Sequence, residues 1–299
     1  MLVLFQNTII YNPFLPPNAR SLQISDYAKQ CGGIQWREET IRSLDGTQIA
    51  LCTSEVSTSA PGPQKPVYIL YMQGNASSLP PRLPDLSWVL RKVQASSDAL
   101  RVVMVCVSYR GYWKSHDRPS ERGINMDTEA ALRWMKDFYG MEPSETRPLG
   151  PRILLWGQSI GCGLATNLAA TTSTPIHGLI LETPFTSARA MLQALYPQKW
   201  LPYQYLWPFL RNHLDTWTNL GILAKKYRIE DAPRVYVIEA GKDELVPSSH
   251  NESLRKRCLE VGLPMEHFKI RGALHNDASV RAEGKTAIAR SIMLAGATQ

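Results

Sequence analysis

The 299-residue chain is long enough for one large α/β domain with a sizeable core. Hydrophobic residues make up 44% of it and charged residues 20%, and no apolar run reaches the roughly 20 residues that span a bilayer. The net charge of +7 comes without a long basic run or a nucleic-acid-binding motif. We therefore expect no nucleic-acid partner and ordinary surface charge, with peripheral contact to an anionic membrane surface left open.

Residues 1–33 are predicted to be an irregular lead-in, and residues 34–299 to form the folded domain. Two alternating runs, 34–42 and 47–53, flank Asp45-Gly46, which is a hairpin signal. Further on, apolar runs typical of buried strands alternate with helical stretches, which predicts an α/β fold with a mostly parallel sheet and helices on both faces. The predicted later strands are 67–72, 101–108, 153–156, 176–181, 234–239 and 267–271, and the predicted helices are 86–94, 125–139, 164–170, 248–262 and 277–294.

The interval 186–231 interrupts this alternation. It is rich in aromatic residues, and three prolines prevent one long helix. An aromatic insertion between two strands suggests a lid over an apolar pocket, although the aromatic residues would equally hold the insertion itself together. The aromatic residues in question are Tyr196, Trp200, Tyr203, Tyr205, Trp207, Phe209 and Trp217.

The segment 153–163 carries the strongest chemical signal. An apolar run ends in Gly157-Gln158-Ser159-Ile160-Gly161, and a run of small residues suited to a helix follows. Strand, very tight turn and helix form the context of a nucleophile elbow, in which glycines two positions either side of the serine avoid a clash. We therefore expect Ser159 to be a catalytic nucleophile, with the Ile160 N–H as one oxyanion donor.

A serine hydroxyl needs a base to accept its proton and an acid to orient that base. Asp243 follows the predicted strand 234–239, and of the six histidines only His275 lies just beyond the last predicted strand. The chain order Ser159, Asp243, His275 predicts the triad, with Glu244 and Glu182 as alternatives for the acid.

The second oxyanion donor is expected in the loop after the strand 67–72. Gly74 allows the backbone to approach a substrate closely, so the N–H of Asn75 is the predicted donor.

These motifs resemble the α/β-hydrolase superfamily. The chain is similar, more narrowly, to the branch of fungal bud-emergence-type hydrolases and ABHD-type lipases and acyl-protein thioesterases, over about residues 35–290. The matching segments are Gln-Gly-Asn-Ala at 73–76, Ser-Tyr-Arg-Gly-Tyr at 108–112, Ser-His-Asp-Arg-Pro-Ser-Glu-Arg-Gly at 115–123, the elbow at 157–161, Gly-Lys-Asp-Glu-Leu-Val-Pro at 241–247 and His-Asn-Asp at 275–277. Within them, Arg110 is expected to brace loops around the pocket.

Two departures from this branch stand out. Gln73 occupies the place where the family usually has histidine, which changes the polarity of the pocket but leaves a backbone oxyanion donor in place. Relatives often carry an N-terminal membrane-spanning segment, whereas this chain begins with a short apolar stretch. Because five cysteines form no metal-ligand spacing, and Cys106 and Cys162 lie in predicted buried elements, we expect an intracellular protein, cytoplasmic or peripheral to a membrane.

The predicted function is a serine hydrolase that cleaves carboxylic esters or thioesters of a lipid, acyl-protein or other small acyl substrate, without metal or cofactor. A serine peptidase on the same fold is the alternative enzyme. A non-catalytic binding or scaffold protein is the alternative outside enzymes, because a fold does not by itself fix a function.

Overall fold

The computed structural model describes residues 6–57, 65–96, 100–141, 151–198, 205 and 207–297. Its strands are β1 (Arg37–Arg42), β2 (Gln48–Val56), β3 (Lys65–Met72), β4 (Leu100–Ser108), β5 (Arg152–Gln158), β6 (Gly178–Glu182), β7 (Arg234–Ala240) and β8 (Met265–Ile270). Its α-helices are α1 (Gln6–Ile10), α2 (Leu83–Ser96), α3 (Glu121–Phe138), α4 (Ile160–Thr171), α5 (Ala188–Leu195), α6 (Thr216–Lys226), α7 (Ser248–Val261) and α8 (Ala282–Ala297).

The strands form one sheet in the order β1-β2-β4-β3-β5-β6-β7-β8. Strand β2 is antiparallel to both of its neighbours, and every pair from β4 to β8 is parallel. The predicted hairpin is confirmed, because β1 and β2 pair with Arg42 opposite Gln48 across the Asp45-Gly46 turn. The carboxyl ends of the parallel strands therefore meet at one edge, where ligands of such sheets bind.

The central strands are buried on both faces. Along β3, Tyr68, Leu70 and Met72 belong to one hydrophobic cluster, and Val67 and Ile69 belong to the other. This alternation follows from the two-residue period of a strand, and it explains why β3 is an unbroken apolar run. Helices α2 and α8 pack on one face, while α3, α4, α6 and α7 cover the other, as predicted.

Several helix boundaries differ from the predicted ones. Helix α3 begins four residues before the predicted start, because the Ser120 side chain accepts a hydrogen bond from the Gly123 N–H and caps it. Helix α8 begins five residues late, at Ala282, because residues 277–281 form hydrogen-bonded turns. Apolar periodicity does not distinguish a hydrogen-bonded turn from the helix that follows it, so it does not fix where the helix begins.

The interval 186–231 is not a single insertion in structural terms. Helix α6 packs against the elbow helix α4 and against α7, so it belongs to the helical layer. Trp200 and Tyr203 lie outside the described residues. Tyr227 is partly buried against the main core, and the five other aromatic side chains described in the interval are 40–68% exposed, so they do not form a core of their own. They are Tyr196, Tyr205, Trp207, Phe209 and Trp217.

The lead-in packs on the domain. Tyr11 is buried and its hydroxyl lies 3.2 Å from the Asn212 side-chain oxygen. Gln6 accepts a hydrogen bond from the Arg211 N–H at 2.6 Å and donates one to the Phe209 carbonyl at 3.0 Å. The lead-in is therefore attached to the segment that precedes α6, a contact that its irregular sequence did not indicate.

Candidate active site

The backbone at Ser159 is the strained turn that an elbow requires. Ser159 connects β5 to α4 with φ 51° and ψ −114°, a region that residues with a side chain rarely occupy. A Cβ at Gly157 would lie 2.3 Å from the Gly161 carbonyl oxygen, and one at Gly161 would lie 2.1 Å from that of Met72. Only glycine fits at either position, and this close approach lifts Ser159 to the carboxyl edge of the sheet.

The structure brings Ser159, His275 and Asp243 together. The Ser159 Oγ lies 2.9 Å from Nε2 of His275. The Nδ1 of the same imidazole lies 2.9 Å from Oδ2 and 3.1 Å from Oδ1 of Asp243. Both the imidazole and the carboxylate side chains are about 5% exposed or less, so little water competes for these bonds. The three residues come from the ends of β5, β7 and β8, as the sequence predicts.

The Asp243 carboxylate is held ionised by its neighbours. The Leu245 and Val246 N–H groups donate to Oδ1 at 2.9 and 2.7 Å. Burial raises the pKa of Asp243, but the hydrogen bond from His275 and these backbone donors outweigh it and leave the pKa below its usual range. A carboxylate in this position fixes the orientation of the imidazole ring through the bond to Nδ1.

The two alternative acids have other partners. Glu244 accepts a hydrogen bond from the His275 backbone N–H at 2.9 Å, rather than from the imidazole. The fully buried Glu182 accepts from the Trp156 indole at 3.1 Å and from the Gln158 amide at 2.9 Å. Burial raises the pKa of Glu182 above its usual range. Of the three carboxylates, Asp243 is the one that contacts the imidazole.

The loop after β3 carries the predicted oxyanion donor Asn75. Its side-chain oxygen accepts from the Asn12 N–H at 3.0 Å and the Tyr112 hydroxyl at 2.8 Å, and its amide donates to the Ile10 carbonyl. The lead-in thus holds this loop as well as the segment before α6. Ile160 is the first residue of α4, so its N–H belongs to the free donors of a helix N-terminus.

Gln73, at the start of that loop, is fully buried. Its backbone carbonyl accepts from the Tyr109 hydroxyl at 2.8 Å, yet within the described residues neither atom of its side-chain amide has a protein partner. A buried amide without partners is costly, so Gln73 leaves two polar atoms unpaired beside the site.

The motif residue Arg110 ties helix α3 to two loop segments. Its guanidinium bonds to Asp127 on α3 at 2.7 Å, to Asp45 in the hairpin turn at 2.8 Å and to Asp117 at 3.4 Å. A Cβ at Gly123 would lie 2.6 Å from Cδ of Arg110, which explains the glycine at that motif position. The arginine of the Tyr-Arg-Gly-Tyr segment therefore stabilises the fold and has no contact with the triad among its described bonds.

No group of three or more metal-ligating side chains occurs among the residues that the structure describes. In the same part of the chain, no helix combines the length and the apolar composition needed to cross a membrane. The described cysteines are all free and buried, including Cys106 and Cys162 as predicted.

The sheet order, the helices on both faces and the elbow are those of the α/β-hydrolase fold. No family model matches the chain. The structure of an α/β hydrolase from Vibrio vulnificus superposes with a TM-score of 0.66, covering 98% of this chain and 92% of that one at 18% identity. This similarity confirms the predicted fold.

Sequence similarity is to the bud-emergence-type and ABHD-type branch of this superfamily. The bem46 protein of Schizosaccharomyces pombe is 29% identical over 195 residues, which cover 64% of this chain and 58% of bem46. The lysophosphatidylserine lipase ABHD12 of Rattus norvegicus is 36% identical over 205 residues, which cover 67% of this chain and 46% of that lipase. The matched region thus spans about half the length of these relatives.

Proposed function

We propose that this chain is a serine hydrolase that cleaves carboxylic esters or thioesters through an acyl-enzyme. The observation that carries the proposal is the continuous hydrogen-bonded series from the Ser159 hydroxyl through His275 to Asp243, set on a strained elbow. A serine hydroxyl with an imidazole nitrogen 2.9 Å away, in a ring that a buried carboxylate orients, is suited to act as an activated nucleophile.

In the first half of the reaction, Ser159 Oγ attacks the acyl carbon while its proton passes to Nε2 of His275. The negative charge moves to the carbonyl oxygen, where the N–H groups of Asn75 and Ile160 donate to it. The imidazolium is stabilised by Asp243. His275 then returns the proton to the leaving alkoxide or thiolate as the bond from the acyl carbon breaks, which leaves an acylated Ser159.

In the second half, His275 removes a proton from water as the water oxygen attacks the acyl carbon. The tetrahedral species collapses, the proton passes to Ser159 Oγ, and the carboxylic acid departs. In both halves of the reaction, His275 is the residue that accepts and returns the proton.

We propose a lipid or other apolar acyl group as the substrate class. A relative that is 36% identical over the aligned residues is named lysophosphatidylserine lipase. The exposed aromatic side chains of the interval 186–231, such as Trp207 and Phe209, favour an apolar substrate and peripheral contact with a membrane. We still propose that the interval 186–231 forms a lid over the acyl pocket, except for α6, which belongs to the helical layer.

The test is labelling by a fluorophosphonate probe, with wild type beside Ser159→Ala, followed by p-nitrophenyl esters and acyl thioesters of increasing chain length. We expect wild type to take the label and Ser159→Ala to take none, with turnover rising from short to medium or long acyl chains. A folded wild type that neither takes label nor turns over any ester would contradict the proposal and favour a scaffold. Hydrolysis of peptide substrates alone would favour the peptidase.

A further inference from the structure

Gln158 lies directly before the proposed nucleophile, and its side chain joins three parts of the site. It is 4% exposed. Its amide oxygen accepts from the Gly74 N–H at 3.3 Å, from the Tyr71 hydroxyl at 3.4 Å and from the Arg82 guanidinium. Gly74 comes so close that a Cβ there would lie 3.0 Å from this oxygen. The residue before the nucleophile thus holds the residue before the proposed oxyanion donor Asn75.

The orientation of the Gln158 amide is fixed by the groups around it. The Glu182 carboxylate only accepts hydrogen bonds, so it faces the amide nitrogen, 2.9 Å away. Gly74 N–H and Arg82 only donate, so they face the amide oxygen. The second oxygen of Glu182 accepts from Trp156 at 3.1 Å, which fixes the carboxylate in turn. An amide surrounded in this way has one low-energy orientation.

We infer that Gln158 is a positioning residue, held by Glu182, that sets the direction of the Gly74–Asn75 peptide for the oxyanion. The inference rests on the proposed function, because it assigns a second component to the same site. An oxyanion donor stabilises the transition state only when it points to where the charge develops. Without the Gln158 oxygen, the Gly74 N–H turns to other partners, and the next peptide unit rotates with it.

The first test is Gln158→Met, which keeps the length of the side chain and removes both polar ends. Because the donor is misdirected rather than removed, we expect kcat to fall about 10- to 100-fold, below the 10²- to 10³-fold effect of deleting a donor. KM should stay within about threefold, since the acyl pocket is unchanged. Gln94→Met, the same change on the surface of α2, is the matched control and should keep wild-type kcat.

Active-site counting separates positioning from simple loss of structure. Prolonged fluorophosphonate labelling counts the competent serines, and kcat is then expressed per labelled site. If Gln158→Met lowers only the number of labelled sites, or only the melting temperature, while kcat per site stays at the wild-type value, the inference is wrong.

An exchange of the pair gives a second, independent test. Gln158→Glu alone places two carboxylates 2.9 Å apart and should lower kcat per site by at least tenfold. Adding Glu182→Gln restores one donor and one acceptor between the two positions, and an acceptor still faces the Gly74 N–H and Arg82. We expect the double variant to recover to within about fivefold of wild type. A double variant no better than Gln158→Glu would overturn the inference.

The proposed function can fail separately from this inference. If wild type shows no Ser159-dependent labelling or turnover, the proposed function fails, and the positioning role that rests on it fails with it. If wild type is active and Gln158→Met matches it per site, only the positioning role fails.

Discussion

Nε2 of His275 lies 2.9 Å from the hydroxyl of Ser159, although 116 residues separate the two in the chain. The parallel sheet creates this proximity, because Ser159 follows β5 and His275 follows β8 at the same edge. The turn at Ser159 raises its hydroxyl, and the Glu244 carboxylate holds the backbone of His275. The proposed mechanism depends on this contact between Ser159 and His275, so variants of the residues that hold it test the mechanism directly.

Asp243→Asn tests the assignment of the acid. An amide in place of the carboxylate favours the wrong imidazole tautomer, and we expect kcat to fall about 10³- to 10⁴-fold with little change in folding. Glu244→Gln is the control, since its side chain still accepts from the His275 N–H, and it should keep kcat within about threefold. Steady-state ester hydrolysis measures both. A larger loss in Glu182→Gln than in Asp243→Asn would move the acid to β6.

Gly161→Ala tests the steric basis of the elbow. The new methyl group would lie 2.1 Å from the Met72 carbonyl oxygen, so the turn must open. We expect the free energy of unfolding to fall by about 1–3 kcal/mol or more, with loss of fluorophosphonate labelling. Gly178→Ala is the control, because its methyl group would meet nothing closer than 3.4 Å. Urea unfolding that finds the two variants equally stable would contradict the steric argument.

The sheet, the elbow and the positions of Ser159, Asp243 and His275 at strand ends follow from the sequence. Apolar runs identify the buried strands of the sheet. Ser159 follows β5 at once, while Asp243 and His275 lie in the short loops after β7 and β8. The contacts of Gln158 and of the lead-in do not follow from it. Gln158 is the last residue of a buried strand, where the alternation of side chains does not reveal a polar network. Asn12 contacts Asn75 through irregular backbone that carries no pattern. Such contacts depend on three-dimensional proximity alone.

The Asp45–Arg110 pair predicts how stability depends on pH. The hydrogen bond from Arg110, first among several causes, holds the pKa of Asp45 well below its usual range. A lowered folded-state pKa contributes stability that is complete above the unfolded-state pKa of about 3.9 and is lost as pH falls through the folded-state pKa. Asp45→Asn should therefore lower the melting temperature at pH 7, and the difference from wild type should shrink below about pH 4.

Thermal unfolding at pH 7 and pH 3 measures this difference. Asp231→Asn removes a carboxylate from an exposed pair with Arg228 and should change the melting temperature little at either pH. An equal deficit of Asp45→Asn at pH 7 and pH 3 would show that the ionised pair is not its cause.

Gln73→Met tests the unpaired buried amide beside the site. The substitution keeps the side-chain length and removes two polar atoms that have no protein partner within the described residues. Since an unsatisfied buried group costs about 1–3 kcal/mol, we expect the free energy of unfolding to rise by about 1 kcal/mol or more. Urea unfolding measures the change, and a decrease would indicate that bound water satisfies the amide.

The side chain of Asn75 tests whether the lead-in supports catalysis. Asn75→Leu keeps the proposed backbone donor but loses four side-chain bonds, those to Ile10, Asn12, Tyr112 and the adjacent Ala76 N–H. Asn75→Asp keeps the acceptor for Asn12 and Tyr112 and loses only the donor to Ile10. If these contacts hold the loop in place, kcat falls about tenfold or more in Asn75→Leu and less in Asn75→Asp, because three of the four bonds survive. Tyr112→Phe removes one bond to the same oxygen, so its kcat should lie nearest to that of wild type. Equal kcat per labelled site in all three variants would mean that the lead-in only covers the site and does not shape it.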